Sequence, residues 1–241
     1  MEIYYKIFTL SISFLLSISL KANVSSFYYA HEILPYVAKL MPEKPIIVEA
    51  GAYDGADSVH LAKTITNCTV HSFEPVPELY NKVLTKTQGV KNIFTYQMAL
   101  SDKDGESLFY VSELAENPGV ASASSSLLPP KEHTVLTPQL SFPTQISVKT
   151  TTLDTWAAQN GITHVDFLWL DMQGYEMNML KGSPKILKTV KAILTEVEFI
   201  EAYLGQYLFA DIKKFLEAEG FILKALSTAG EWFGDALFVR E

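Results

Sequence analysis

The chain predicts a doubly wound α/β fold, a mostly parallel sheet of seven strands ending in an antiparallel C-terminal strand. Three observations lead there. Apolar runs suited to strands buried on both faces alternate with segments of helical spacing. The first such run, Ile46–Ala50, passes directly into a glycine turn and a helix. Strands then end on acids, with Glu74 closing the second and Asp171 the fourth long one.

The elements follow in order. Phe27–Leu40 has helical spacing and stops at Pro42. Asp57–Ile65 forms a helix, Val70–Phe73 a strand, and Pro77–Thr85 a helix with proline in its first turn. Ile93–Met98 is a third strand, and Ser107–Val111 a short one after the Asp104-Gly105 turn. The alternation breaks over 115–145, where serines and prolines leave no period, so this stretch is expected to be a lid or insertion. Order returns with Ile146–Thr150 and a helix near Asp154, read as its N-cap. The strands Val165–Leu170 and Ala192–Val197, the helix Ala210–Glu219, and an antiparallel pair, Phe221–Leu226 with Ala236–Val239, complete the fold.

Composition narrows the function. The 241 residues suit one domain, 27–241, behind a hydrophobic segment at 1–26. Net charge is −8 and no Lys/Arg block is present, which argues against nucleic acid as a partner. The one cysteine, Cys68, rules out a disulfide framework or a cysteine metal cluster within the chain. No metal-ligand spacing is apparent, so no metal is expected. Residues 7–20 are apolar but short for a membrane span. They read as a signal peptide cut after Ala22 or Ser26, or as a retained arm able to associate with a membrane. Cutting implies export; retention implies a cytoplasmic or membrane-associated protein.

The glycine turn carries most of the chemistry. Gly51 and Gly55, with Ala52 and Tyr53 between them, let the backbone approach a ligand. A dinucleotide turn wants three glycines, and here Tyr53 stands in the place of the second. Glu49, just before the turn, is awkward beside a pyrophosphate. It suits a ligand bearing an ammonium and a sulfonium, as S-adenosylmethionine does. Glu74, followed by Pro75, is placed to accept both ribose hydroxyls. The Ala99–Asp102 turn lies where adenine is expected, with Asp102 available to its amino group.

These residues together resemble the FkbM family of S-adenosylmethionine-dependent methyltransferases. The matching pieces are Val48–Ala52 with Gly55, Ser72–Pro75, Ala99–Asp102 with Gly105-Glu106, Thr152–Asp154, and Leu170–Glu176 followed by Leu180-Lys181-Gly182. In the last motif the family commonly reads D-x-E-G-x-E, and Gln173 replaces the first Glu. The resemblance implies the Rossmann-like class I methyltransferase fold and methylation of a hydroxyl on a sugar or other small molecule. Asp171, at the mouth of the sheet, is the leading catalytic residue, facing the methionine end of the donor or the acceptor hydroxyl. Glu176 faces the same cleft or favours its helix start. Of Glu196 and Glu198 only one is expected to face the cleft, and Glu196 is chosen. His71 reads as a core residue and His133 as a surface one.

Three other readings compete. A nicotinamide oxidoreductase is disfavoured by Glu49 and the missing glycine. A non-catalytic extracytoplasmic binding protein draws support only from the N-terminal segment. An amino-group methyltransferase on nucleic acid lacks its D/N-P-P-Y/F signature at Asp171.

Overall fold

A computed structural model describes residues 25–227 and 230–241. The hydrophobic stretch 7–20 lies outside the described residues. Among the described residues no helix is long and apolar enough to cross a membrane.

The chain opens with a short strand, β1 (Ser25–Phe27), a 3-10 turn (Ala30–Ile33) and helix α1 (Leu34–Leu40). The single helix expected over 27–40 is therefore a strand and a shorter helix. Pro35 sits in the first turn of α1, where its missing N–H costs nothing. A cut after Ser26 would remove most of β1.

The central units follow: β2 (Ile46–Ala50), α2 (Ala56–Thr64), β3 (Thr69–Phe73), α3 (Pro77–Thr87) and β4 (Ile93–Tyr96). Next come β5 (Ala99–Leu100), β6 (Gly105–Leu114), α4 (His133–Leu136) and β7 (Leu140–Thr151). The second half comprises α5 (Leu153–Gln159), β8 (Phe167–Leu170), α6 (Glu176–Gly182), α7 (Pro184–Leu187), β9 (Ala192–Glu198), α8 (Phe209–Ala218), β10 (Phe221–Ser227) and β11 (Phe233–Arg240).

The main sheet has eight strands in the order β1-β10-β11-β9-β8-β2-β3-β4. Seven are those the sequence predicts, and β1 adds an eighth at the edge, parallel to β10. β11 runs antiparallel to both its neighbours, as expected. Order reverses between β2 and β8, the point where open α/β sheets bind ligands at the carboxyl ends of their strands.

The sheet is buried on both faces. Val48, Leu168, Ile193 and Phe238 pack against α5, α6, α7 and α8. Ile47, Phe167, Leu194 and Leu237 pack against α1 and α2. This two-sided burial is why the strand sequences are apolar without alternation.

The 115–145 segment is more ordered than its composition suggests. Its last six residues belong to β7, which pairs with β6 from Leu114–Leu140 onward. Tyr110 and Ser126 exchange backbone hydrogen bonds of 2.8 and 3.0 Å, and Ser122 N–H donates to Ser112 O at 2.8 Å, so 121–126 runs along β6. The Ser112 hydroxyl meets those of Ser122 and Ser125 at 2.6 and 3.1 Å. Backbone bonds from Lys131 and His133 to Ala202 O anchor the far end to the β9–α8 connection.

Local motifs have structural explanations. Thr152, not Asp154, caps α5 by accepting from Thr155 N–H. Asp154 instead caps α7, accepting from Lys185 and Ile186 N–H at 3.0 and 2.7 Å. Gly182 is required because a Cβ there would lie 2.5 Å from the Asp102 Cα.

Gly51 has φ +92°, and a Cβ on it would stand 1.8 Å from the Asp171 carbonyl oxygen. Positive φ alone costs on the order of 1–3 kcal/mol for a residue with a side chain. The overlap adds to that. Gly51→Ala is therefore expected to lower the melting temperature by about 5 °C or more, at about 2–4 °C per kcal/mol for a chain of this size. Differential scanning calorimetry checks it; an unchanged midpoint would contradict the contact.

Candidate active site

The glycine turn is held by backbone. Gly51 and Ala52 N–H both donate to Phe73 O at 3.1 and 3.0 Å, fastening the turn to the end of β3. Tyr53 takes φ +50° and Gly55 φ +81°. Asp54 accepts from Ala56 N–H at 2.9 Å and pairs with Lys86 at 2.8 Å, which fixes the start of α2 against α3.

Glu74 completes the clamp. One carboxylate oxygen accepts from Tyr53 N–H and the other from Val76 N–H, each at 2.9 Å. The carboxyl is nearly buried, and burial pushes its pKa up to about 7 against the opposing pull of those two donors.

A cavity opens at these strand ends. Gly51, Tyr53, Glu74, Pro75, Ala99 and Asp171, all singled out from the sequence, lie on its wall. The apolar wall includes Phe73, Met98 and Leu100 from the sheet side and Phe109 and Leu127 from the β6 side. The 115–145 segment contributes Ser122, Ala123 and Ser125 to the wall as well.

Other predicted site residues stand behind this wall. Glu49 is buried on the α2 face and accepts from the Ser58 hydroxyl; burial raises its pKa to about 7. It faces the helix side of the turn. Ala52 and Gly55 shape the turn without lining the cavity. Asp102 is exposed and accepts from the hydroxyls of Tyr175 and Ser101 at 2.9 and 3.2 Å. Tyr175 itself lines the cavity, so Asp102 reaches it through that ring.

Asp171 links the cavity to a cluster of acids. Gln173 Nε2 donates to Asp171 Oδ1 at 2.8 Å and to Glu196 Oε2 at 2.6 Å. Glu196 and Glu198 are two apart on β9 and therefore share a face, contrary to the expectation that only one would face the cleft. Asp235 stands opposite Glu196 in the β9–β11 register. Burial raises Asp171, and raises Glu196 and Glu198 well above the carboxylate range, with their mutual charges adding to it. Asp235 rises to about 7 for the same reasons. Glu176 is buried and accepts from Met172 N–H at 2.6 Å, holding the start of α6; burial lifts it to about 8. Among the described residues no three His, Cys, Asp or Glu side chains are grouped as a metal site.

The sequence reading missed two residues here. His133 is buried, not exposed, with its ring against Tyr203, Phe142 and Trp232. Burial lowers its pKa. Tyr203 is fully buried and its hydroxyl reaches both Gln173 Oε1, at 2.7 Å, and Ser124 O, at 2.8 Å. The sequence signals neither, because both depend on the 115–145 segment docking on the β9–α8 connection. His71 is a core residue as read: it meets the Tyr96 hydroxyl at 3.0 Å, and burial lowers its pKa to about 4.

The wall chemistry tests the cofactor. Glu74 and Asp171 are its carboxylic acids, and among the described residues no lysine, arginine or histidine lies on it. A pyrophosphate in such a site would face carboxylates without a balancing cation. A ligand with ribose hydroxyls to donate and a positively charged amino-acid end fits. S-adenosylmethionine is such a ligand, and Glu74 and Asp171 are the residues that would hold its two ends.

Comparison with known proteins agrees. Residues 49–223 match the family described as the methyltransferase FkbM domain. The 2-O-methyltransferase NoeI of Sinorhizobium fredii is 28% identical over 170 residues, covering 70% of each chain. Among solved structures, the Methanococcus jannaschii fibrillarin pre-rRNA processing protein superposes with a TM-score of 0.50 at 13% identity, covering 84% of this chain and 69% of its own. A fibrillarin/Nop5p complex gives the same score and identity over 86% and 83%. At that identity these two speak for the fold alone. The chain belongs to the FkbM methyltransferase family, and its methyl donor is S-adenosylmethionine.

Proposed function

We propose that the protein methylates a hydroxyl group on a sugar or other small molecule. The observation that carries this is a cavity walled by two acids and, among the described residues, no base, with Asp171 joined through Gln173 to Glu196. Such surroundings disfavour an anionic acceptor and suit a neutral polyol. The absence of a Lys/Arg block and the charge of −8 likewise weigh against a nucleic-acid acceptor. The NoeI relative, named a 2-O-methyltransferase, supports oxygen as the acceptor atom.

Each residue has an assigned task. Glu74 receives the ribose hydroxyls while keeping the turn closed. Ala99 and the apolar wall of Phe73, Met98 and Leu100 flank the adenine. Asp171 orients the reacting end, and Asp171 or Glu196 takes the proton from the acceptor hydroxyl. Burial raises both, which makes them stronger bases near neutral pH than ordinary carboxylates, and general bases contribute about 10²–10⁴-fold. Bound S-adenosylmethionine supplies a methyl group already activated on a sulfonium. The chain's main contribution is then alignment, which reaches on the order of 7–11 kcal/mol in well-oriented reactions. The segment around Ser122–Leu127 keeps water from that centre.

Two measurements test this. In calorimetric titration with S-adenosylhomocysteine, Glu74→Gln should weaken binding about 10- to 100-fold, the size of a lost charge-assisted hydrogen-bond pair. Tight NADH binding instead would sink the reading. The pH dependence follows from Glu74 at about 7. Below that pH the carboxyl is protonated and a poorer acceptor, so affinity should fall by up to about tenfold in all as pH drops from 8 to 6. Glu74→Gln should flatten that dependence.

A further inference from the structure

We propose that Gln173 is a positioning residue that ties closure of the 115–139 segment over the cavity to the alignment of Asp171 with Glu196. The proposal rests on the reading of those two carboxylates as the acceptor side of the transfer site.

The geometry is closed on every side. Gln173 has two amide N–H bonds, and Nε2 donates one to Asp171 and one to Glu196. Its Oε1 accepts from the Tyr203 hydroxyl. Its backbone carbonyl accepts from the Ser126 hydroxyl at 2.7 Å. Its φ of +55° is one that residues with side chains rarely adopt, so surrounding contacts must maintain it. Next to it, a Cβ on Gly174 would lie 3.2 Å from both Tyr203 and Gln206, so the turn is pressed onto the β9–α8 connection.

Two of these contacts come from the covering segment. Ser126 holds the Gln173 carbonyl, and Ser124 O shares the Tyr203 hydroxyl that Gln173 uses. When the segment lifts, the Ser126 bond is lost, and the Gln173 backbone has less to hold its φ of +55° and with it the direction of the amide. Asp171 and Glu196 then face each other without their common donor. An uncharged amide suits this role better than a lysine: it holds two carboxylates in place without neutralising either one. A glutamate there would add a third acid and require a proton to be retained among the three.

Three variants of the full chain test the idea: Ser126→Ala, Gln173→Ala and Gln173→Glu. Limited proteolysis reads opening of 115–139. Ser126→Ala and Gln173→Ala should each speed cleavage there by about threefold to tenfold, as expected for one or two hydrogen bonds. The double variant should cleave no faster than Ser126→Ala alone, since the Gln173 side chain acts on the segment by holding in place the carbonyl that Ser126 clasps. The midpoint of Gln173→Glu should match the wild type near pH 5 and fall progressively below it toward pH 9. The sign follows because the inserted acid has a raised folded pKa, so its stability contribution is lost as pH rises. Additive cleavage rates, or a Gln173→Glu profile parallel to the wild type, would overturn the proposal. These readouts need no methyl acceptor. S-adenosylhomocysteine titration of the same samples tests the donor reading separately.

Discussion

Everything in this molecule depends on how closely β2 and β8 approach at their carboxyl ends. The Asp171 carbonyl leaves no room for a side chain on Gly51. That contact lies at the point where the sheet order reverses. It brings the turn proposed to receive the donor and the strand that carries Asp171 to one spot. Phe73 O then fixes the turn laterally, and Glu74 closes it from β3. The cavity is the space left above this junction, and β6 with its following segment forms the roof.

Electrostatics gives that space its selectivity. Glu49, Glu74, Asp171, Glu176, Glu196, Glu198 and Asp235 all have carboxyls raised by burial. Among the described residues no ion pair reaches any of them; the salt bridges lie elsewhere, as at Lys86–Asp54 and Lys191–Asp166. Concentrating acids without cations is unfavourable for the folded protein by itself. A bound cation offsets it, so the arrangement that weakens the apo fold favours a sulfonium donor. The backbone N–H groups on Glu74 and the Gln173 amide limit the cost by solvating charge without cancelling it.

Much of this was legible in the sequence. The apolar runs gave the strands because strands buried on both faces have no alternation to obscure them. The site on β2, β3 and β8 was legible because it is built from local turns: a glycine turn, an acid before proline, an acid before a helix. What escaped was long-range. Thr152 takes the capping role expected of Asp154, because Asp154 instead reaches the start of α7. β1 could not be foreseen, since its partner β10 lies some two hundred residues away. His133 and Tyr203 were hidden because serine- and proline-rich sequence gives no period, although backbone pairing with β6 orders it. Glu49 was rightly noticed as unusual, but its side chain points to Ser58 behind the turn.

The central claim is that the junction of β2, β3 and β8 holds a cationic methyl donor between Glu74 and Asp171. A crystal structure with S-adenosylhomocysteine tests it most directly. The account predicts both ribose hydroxyls within hydrogen-bond distance of the Glu74 carboxylate, adenine against the Phe73–Leu100 wall, and the amino-acid end toward Asp171. A ligand bound elsewhere, or one in this cavity whose ribose makes no contact with Glu74, would contradict it.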